Sequence, residues 1–467
     1  MAFTALAATL SSGCIHYRAR PLDPPRLESQ YRTRSLQDEG LRDFIRANAA
    51  EKPTQGPPAR LDISLLTLVA FYYSPDLEMA RADIAVAEAG IRSAGARVNP
   101  SLSGEGGYNS NPEAHRLYAI LPSLTFETAG KRGYRILAAQ KEAEVARLAL
   151  AEAGWRVRNR VRIAWMDFLF SRLRLDLLHE EEAIRNEIVQ IFDARLALGE
   201  AARPELDVFR VDLISSQAAL KAAEGDVARN LAALAAAVGM PSAALEGQVF
   251  DAPQLEAPPA LELLPLQRVQ RAGLLHRADV RRVLVEYAAA EAALRLEVAR
   301  QYPDIELAPA FSFEEGFARY VLGATLGSVP VFHRNQGQIA VAEAQRGQVE
   351  ARFSALQSRA IGEMDMALVQ YRAALSEYGE ATVRLVTIQK EREEAARRAL
   401  AAGESDRLEL ATVRLQSITA ARARLEALGR AQTALGALED AVQFPLESGA
   451  PLPDPAIASP IKKGAIR

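Results

Sequence analysis

Two twelve-residue stretches of this 467-residue chain are half identical and lie 204 positions apart. The first, GEAARPELDVFR, begins at Gly199, and the second, GESDRLELATVR, begins at Gly403. Six of the twelve positions are shared, in the order Gly, Glu, Arg, Glu, Leu, Arg. Self-similarity at a fixed spacing constrains the fold strongly, because the chain is then built from two copies of one unit.

Two further landmarks extend the repeat over most of the chain. Residues 76–92 and 279–295 both begin with Asp and end in Ala-Glu-Ala, one variable residue, Ile or Leu, and Arg, at an offset of 203. Each run continues to a lone proline, Pro100 or Pro303, at the same offset. The two halves therefore share one order of parts.

These landmarks set the bounds of the repeats. We predict a first repeat over residues 61–240 and a second over 266–441. Proline-rich residues 241–265 are predicted to be the linker between them. Residues 442–467 are also rich in proline, and we predict a disordered tail.

Each repeat changes its hydrophobic period in the same order. A helix, about 74–99 or 267–301, ends at the lone proline because proline stops a helix. Two strands follow, within about 102–127 and 304–329, in which apolar residues alternate with small or polar ones. The alternative for each strand pair is an ordinary hairpin on a soluble core.

Long helical segments without proline come next, about 131–198 and 336–402. A helix of about 68 residues is roughly 100 Å long, so it must pack in a coiled coil or a bundle. Return helices are predicted over 205–238 and 408–441. Alanine, leucine, glutamate and arginine dominate the composition, which is typical of long, closely packed helices.

Each repeated motif falls where a long helix turns into its return helix. Gly199 and Gly403 suit the C-terminal end of the long helix. Glu205 and Glu409 lie in the first turn of the return helix, where a carboxylate interacts favourably with the helix dipole. A helix turn alone explains the glycine but not the repeated Arg and Leu, so a structural and a functional interpretation both stay open.

The composition argues against several functional classes. A net charge of −3 gives no reason to expect nucleic-acid binding, and a single cysteine excludes intrachain disulfides and thiolate-rich metal sites. The histidines share no ligand spacing, and no nucleotide-binding or hydrolase motif occurs. We therefore predict neither an enzyme nor a cofactor. No apolar run reaches about 18 residues, so a membrane span would have to consist of strands.

The N-terminal residues MAFTALAATLSSGC resemble a bacterial lipoprotein signal, in which the cysteine becomes the acylated first residue. We predict residues 1–14 as this signal and Cys14 as the lipidation site. Ser11 replaces the usual aliphatic residue three places before the cysteine, and no basic residue precedes Arg18. A start upstream of Met1 would supply basic residues. The alternative is a free cysteine in a frayed tail.

The duplicated order of helix, strand pair, long helix and return helix resembles the TolC-like outer-membrane efflux protein family over nearly the whole chain. KRG at Lys131–Gly133, VPVFHRNQG at Val329–Gly337 and the two G-E-x-x-R-x-E-L tips are most similar to the outer-membrane components of cobalt–zinc–cadmium cation efflux systems. The resemblance implies a mainly α fold with a membrane β-barrel and a long α-helical periplasmic tunnel.

The resemblance also implies a homotrimer in contact with outer-membrane lipid. Four strands per chain cannot close a barrel, whereas three chains supply twelve, an even number within the usual range. Residues 15–60 are then an N-terminal periplasmic segment. The far end of the tunnel meets a periplasmic adaptor (membrane fusion protein) and an inner-membrane RND pump. Doubling the unit within each chain gives the trimer pseudo-sixfold symmetry.

In the family, the channel narrows at an acidic residue six places after the tip glycine. Here that residue is Glu205 or Glu409. Three copies of Glu409 would form a carboxylate ring that favours cations, and the alternative is a solvated residue at a helix start. Family members often carry a second acid three places later, where this chain has Val208 and Thr412.

The tip residues are also candidates for docking the adaptor: Gly199, Glu200, Arg203, Leu206, Gly403, Glu404, Arg407 and Leu410. We expect Arg203 and Arg407 to pair with nearby acids, namely Glu200, Glu404 or Asp406, and to hold the tips closed. Leu206 and Leu410 either contact the adaptor or pack inside the hairpin. Lys131 and Arg132 either meet anionic groups at the membrane interface or are solvated.

The implied function is the exit duct of a tripartite efflux pump that exports heavy-metal cations. No cluster of Cys, His or Met offers soft-metal ligands, so we expect the pump and the adaptor to select the ion. One alternative is a multidrug or type I protein-secretion exit channel of the same fold. A soluble coiled-coil scaffold is another alternative, and an envelope hydrolase has no motif in its favour.

Overall fold

The computed structural model describes residues 17–49, 60–108, 116–252, 255–261, 274, 276–314, 317–327 and 329–446. Cys14, the predicted signal over 1–14, and the tail beyond residue 446 lie outside the described residues. Within these ranges no helix is both long and apolar enough to cross a membrane.

Within the described residues, three short helices precede the duplicated elements, and an aspartate caps the start of each. They are α1 (Pro24–Arg32), α2 (Glu39–Asn48) and α3 (Ile63–Tyr73). The carboxylates of Asp23, Asp38 and Asp62 accept hydrogen bonds from backbone N–H groups in the first turn, which the helix itself leaves unpaired.

The first repeat contains the predicted elements in the predicted order: α4 (Pro75–Ala94), β1 (Ser101–Tyr108), β2 (Arg116–Phe126), α5 (Lys131–Ala197) and α6 (Arg203–Val238). Helix α5 runs without interruption for 67 residues, which corresponds to about 100 Å. Helix α6 ends at Gly239, whose φ of +83° is a left-handed conformation that glycine adopts without strain.

The second repeat follows the same order: α7 (Ala278–Ala299), β3 (Ile305–Glu314), β4 (Phe317–Leu326), α8 (Gln336–Glu380), α9 (Thr387–Ala402) and α10 (Arg407–Val442). The prediction of one regular helix over 336–402 is wrong in one respect. A π-helical turn over Ala381–Val386 separates α8 from α9. Such wider turns are rare and usually interrupt an α-helix for a single turn.

The four strands form one antiparallel sheet in the order β1-β2-β3-β4. The outer strands therefore come from different repeats, and each has one unpaired edge within the chain. The registers place mainly apolar side chains on one face, including Tyr118, Ile120, Leu124, Phe126, Leu307, Phe311, Phe313, Tyr320 and Leu322. The other face carries mainly small and polar residues, including Ser103, Glu105, Ser123, Thr125, Glu306, Ser312, Arg319 and Thr325, together with the apolar Leu117, Leu121, Phe317 and Val321. The predicted alternation of the strands is confirmed.

The largest core cluster lies between the N-terminal helices and the first repeat. It runs from Leu36 to Leu255 and includes the buried rings of Phe71 and Trp165. A second cluster lies between α8 and α10 of the second repeat and is rich in alanine. Small side chains let these two helices approach closely.

Candidate functional site

The two tips are turns of closely similar geometry. Gly199 has φ +76° and Gly403 has φ +75°, a region that L side chains rarely adopt. The next backbone N–H closes the helix in both cases. Glu200 N donates to Arg195 O at 2.8 Å, and Glu404 N donates to Ala399 O at 2.9 Å. This helix-ending motif requires the repeated glycine for backbone reasons alone.

The two candidate constriction residues, Glu205 and Glu409, lie in the first turns of α6 and α10, and both are exposed. Glu205 Oε2 accepts a hydrogen bond from the backbone N–H of Ala202 at 3.3 Å. Glu409 Oε2 accepts one from Ser405 Oγ at 2.6 Å. Each carboxylate therefore has a local role in its turn and still presents its charge to solvent.

The second tip has a helix cap that the first tip lacks. Asp406 Oδ1 accepts a hydrogen bond from Glu409 N at 2.8 Å, and its other oxygen pairs with Arg195 Nη2 at 2.7 Å. The backbone N–H of Glu409 and the Arg195 guanidinium lower the pKa of Asp406 despite partial desolvation. This ion pair joins the end of α5 in the first repeat to the tip of the second. The equivalent positions 202 and 399 are both alanine.

The expected ion pairs of Arg203 and Arg407 are not formed. Both arginines are exposed at the first positions of their helices, and no ion pair within the described ranges includes either one. Asp406 instead caps the start of α10 with one carboxylate oxygen and forms an ion pair with Arg195 through the other. The repeated Arg203 and Arg407 were therefore the wrong candidates for the ion pair at the tip. The arginine that pairs with Asp406 is Arg195, which has no arginine counterpart in the second repeat.

The two tip leucines differ in burial. Leu206 is fully buried in a cluster that joins the hairpins, with Ile184 and Phe192 of α5 and Ile418 of α10. Leu410 is half-buried. Leu206 therefore packs inside the protein, one of the two alternatives given by the sequence. Glu200 and Glu404 are exposed.

The KRG motif, Lys131–Gly133, forms hydrogen bonds that join the base of the sheet to the helices. Lys131 Nζ donates to Asp304 Oδ1 at 2.6 Å and to Tyr302 O at 2.7 Å, and so links the two repeats. Arg132 donates through Nε and Nη2 to Gly95 O, at 2.8 and 2.7 Å, just after the end of α4. The partners of these two cations are thus an acid and backbone carbonyls of the same chain.

Two carboxylates at the base of the sheet are held in the charged form. Burial acts to raise the pKa of Asp304, but hydrogen bonds from Lys131 and Thr128 lower it overall. Arg135 Nη1 lies 2.5 Å from Glu127 Oε1, and this bond lowers the pKa of Glu127. Acid conditions therefore weaken the connection between sheet and helices.

A buried group of charges joins α5 to α10, and no motif or spacing in the sequence predicts it. Arg158 Nη1 lies 3.0 Å and Arg162 Nε lies 3.4 Å from Glu439 Oε2, and all three side chains are at most 4 % exposed. Arg162 Nη1 also donates to Gln432 O at 3.0 Å. A Cβ at Gly436 would overlap Arg162 Nη1, so a side chain at this position would displace the guanidinium from its present place.

The described residues contain no group of three or more His, Cys, Asp or Glu side chains placed to hold a metal ion.

Comparison with solved structures identifies the class of fold. The chain matches the outer membrane protein VceC of Vibrio cholerae with a TM-score of 0.64 and 20 % sequence identity. The match covers 82 % of this chain and 97 % of VceC. A duplicated strand pair and helical hairpin with two turned tips is the fold of TolC-like outer-membrane channels.

Sequence comparison gives a partial match to one family and two similar proteins. Residues 70–240 match the model of the outer membrane efflux protein family. The nickel-cobalt-cadmium resistance protein NccC of Alcaligenes xylosoxydans xylosoxydans is 24 % identical over 382 residues, which are 79 % of this chain and 82 % of NccC. The cobalt-zinc-cadmium resistance protein CzcC of Cupriavidus metallidurans is 27 % identical over 286 residues, 59 % of this chain and 65 % of CzcC. The partial family match, the two relatives and the fold agree with one another, and each makes this chain similar to outer membrane efflux channel proteins.

Proposed function

We propose that this protein is the exit duct of a tripartite efflux pump that exports heavy-metal cations across the periplasm and the outer membrane. The observation that carries the proposal is the similarity to NccC over most of both chains, because NccC is a nickel-cobalt-cadmium resistance protein. The similarity to CzcC supports the same class of substrate. The channel fold accounts for transport without a catalytic site.

The active form in this proposal is a homotrimer. The sheet has four strands and two unpaired edges, and unpaired edges are not stable in lipid. Three copies, each placing β4 beside β1 of the next, would close a barrel of twelve strands. The apolar face of the sheet then faces lipid, and the face with Glu105, Glu306 and Arg319 lines the water-filled interior.

The tips face the periplasmic adaptor and, through it, an inner-membrane RND pump. Glu205 and Glu409 form the acidic entrance in this arrangement, because both carboxylates are exposed beside a helix start. The exposed residues Glu200, Arg203, Glu404 and Arg407 are available for docking. Leu206 supports the docking surface from inside, since it is fully buried.

Growth of a deletion strain tests the substrate. We expect sensitivity to a subset of zinc, cadmium, cobalt, nickel and copper salts, with unchanged tolerance of dyes and detergents. The intact gene restores growth, whereas a gene carrying Glu205→Gln and Glu409→Gln restores it only partly, because the entrance attracts cations less strongly. Glu142→Gln combined with Glu350→Gln removes two exposed charges from α5 and α8, away from the tips, and serves as the matched control.

Sensitivity to dyes and detergents alone would replace the metal substrate with drugs while leaving the role of exit duct in place. Sensitivity to neither set, with the protein present in the outer membrane, would contradict both substrate classes.

A further inference from the structure

The loops that lead from the sheet to the two long helices differ in length and composition. Four residues connect Phe126 at the end of β2 to Lys131 at the start of α5. Nine residues connect Leu326 at the end of β4 to Gln336 at the start of α8. The longer loop contains the apolar run Val329–Phe332, which is part of the VPVFHRNQG motif, and the shorter loop, Glu-Thr-Ala-Gly, has no such run.

The ends of the longer loop are held by hydrogen bonds, while its apolar side chains are exposed. Gly327 N donates to the backbone carbonyl that precedes β3 at 2.9 Å, and Asn335 Nδ2 donates to a carbonyl of α7 at 2.9 Å. Between these points Val329 is 62 %, Val331 is 64 % and Phe332 is 96 % exposed. The loop therefore holds an apolar surface beside the sheet that none of the described residues covers.

The loop follows directly on the apolar face of the sheet. Phe126, Ile305 and Leu326 pair across neighbouring strands and form the last row of that face. All three are exposed. The apolar run of the loop begins three positions after Leu326, so the apolar surface of the sheet continues into the loop.

The sheet is about as tall as the apolar part of an outer membrane. Its strands contain 8 to 11 residues. At about 3.3 Å per residue and a tilt near 45°, the longest of them spans about 25 Å, the height of the apolar band of outer-membrane strands. With the sheet in the membrane, the row at its base lies where the hydrocarbon ends, and the loop lies at the level of the headgroups on the periplasmic side.

The charges at the base of the sheet leave exposed cations without acidic partners. Three acids lie there, and each is paired with a basic side chain: Glu127, Glu297 and Asp304. Arg97 and Arg334 are exposed, and no ion pair between described residues includes either one. The phosphate groups of phospholipids are the complementary anions, because a guanidinium binds phosphate oxygens with strong hydrogen bonds.

We propose that the longer loop anchors the protein in the periplasmic leaflet of the outer membrane. The side chains of Val329, Val331 and Phe332 enter the acyl chains of the phospholipids, while Arg334 and Arg97 bind their phosphates. The occupant is phospholipid because the apolar surface is continuous with the face of the sheet that faces lipid and the adjacent free charge is positive. The inference rests on the proposed placement of the sheet in the membrane and not on the number of copies.

Tryptophan fluorescence in vesicles with brominated acyl chains tests the anchor. The native Trp155 and Trp165 are buried and lie about 35–50 Å from the base of the sheet along α5, so they give an unquenched background. In vesicles of phosphatidylethanolamine and phosphatidylglycerol, full-length Phe332→Trp should add an emission that brominated chains reduce by about twofold or more. The matched control, Leu198→Trp, places a tryptophan at an exposed position of the first tip and should not be quenched.

A second control, Phe126→Trp, reports whether the sheet itself lies in the membrane. Quenching of Phe126→Trp without quenching of Phe332→Trp would overturn the anchor alone. Quenching of neither variant would overturn the placement of the sheet and the anchor with it. A blue-shifted but unquenched emission from Phe332→Trp would show that protein covers the loop in place of lipid, and would also overturn the anchor.

The charge is tested by adding Arg334→Gln to Phe332→Trp. Quenching should increase with the fraction of phosphatidylglycerol, and Arg334→Gln should weaken that increase because one phosphate ligand is lost. An equal increase with and without Arg334 would contradict the contact with phosphate. Metal tolerance is a separate readout, since a deletion strain without a metal phenotype rejects the proposed substrate and leaves the quenching result unchanged.

Discussion

The two long helices occupy equivalent positions in the repeat but have different surroundings. Helix α5 is continuous and lies against elements of both repeats, so Trp165 is 1 % exposed. Its counterpart Val369 on α8 is 63 % exposed. Arg162 is buried beside Glu439, whereas its counterpart Met366 is exposed to solvent. Duplication preserved the order of the elements, while each copy acquired side chains suited to a different neighbour.

The two hairpins differ in regularity as well. The first hairpin has an apolar cluster of Leu178, Leu220 and Ala223 at mid-length. In the second hairpin the counterpart of Leu178 is Thr382, which lies in the π-helical turn. Thr382 Oγ1 and Ser417 Oγ are buried without a hydrogen-bond partner in the described part of the chain. Lost apolar packing and the irregular turn occur at the same level of the hairpin.

The largest expected effect comes from breaking the charged contact between the repeats. Glu439→Gln leaves Arg158 and Arg162 buried without their carboxylate, and we expect the free energy of unfolding to fall by about 3 kcal/mol or more. Thermal unfolding of the detergent-solubilised protein, followed by circular dichroism, measures the loss. Glu377→Gln removes an exposed partner of Arg430 and should cost about 1 kcal/mol or less. Equal effects of the two variants would contradict the role given to the buried charges.

Transferring the first hairpin's residues to the second should stabilise the protein. Thr382→Leu combined with Ser417→Leu restores the leucines found at 178 and 213 and removes two unsatisfied hydroxyls, each of which costs about 1–3 kcal/mol. We expect a higher melting temperature. The reverse exchange, Leu178→Thr with Leu213→Ser, should lower it. A decrease in both double variants would show that the π-helical turn is already well packed.

The contacts that join the sheet to the helices should respond to acid differently in the two repeats. The pKa values of Asp304 and Glu127 are lowered in the folded protein. Their contribution to the free energy of unfolding is therefore complete above the ordinary pKa values of 3.8 and 4.5, and it is lost as the pH falls through the lowered pKa values. Lys131→Met should cost about 1–2 kcal/mol at pH 7 and less in acid. Unfolding at pH 7 and in steps below pH 4 provides the measurement.

The control for the junction uses the second repeat, where the neutral Asn335 lies at the position equivalent to Lys131. It donates to Glu297 O at 2.9 Å and to Glu297 Oε2 at 2.8 Å. Asn335→Ala should lower stability by an amount that changes less with pH, because Asn335 carries no charge and one of its two acceptors is a backbone carbonyl. A loss for Lys131→Met that does not change with pH would contradict the assignment of Asp304 as its charged partner.

The smallest effect is expected at the tips. Asp406→Asn keeps a helix-capping side chain but loses the pair with Arg195, which should cost about 1 kcal/mol or less. Ala202→Asp should give the first tip the cap it lacks and add up to about 1 kcal/mol. Melting temperatures at low and high salt separate the two effects, because salt weakens the exposed ion pair more than the cap. Identical salt dependence in Asp406→Asn and the unmodified protein would contradict the ion pair.

Much of the fold was predictable because it depends on local patterns. Glycine at 199 and 403 fixed the tips, proline at 100 and 303 marked the helix ends, and alternating residues such as Tyr118 and Ile120 located the strands. The continuous α5 and both return helices agree with the prediction to within two residues. The family followed from the same patterns.

The sequence did not predict the contacts that join distant parts. Arg195 and Asp406 are 211 residues apart, and Arg158 and Glu439 are 281 apart, so no local period relates them. Residues shared by the two repeats indicated Arg203 and Arg407, whereas the arginine that forms the ion pair is Arg195, which is not repeated. The π-helical turn was also missed, since residues 381–386, ATVRLV, contain no proline or glycine that would mark an interruption.

The largest core cluster has a consequence for the order in which the protein forms. Its members lie between Leu36 and Leu255, so every side chain needed for it is present before the second repeat has been synthesised. A nascent chain is made from its N-terminus, and its domains generally fold in that order. The first repeat can therefore serve as a preformed surface, with α5 in place, on which the alanine-rich second repeat assembles as it emerges.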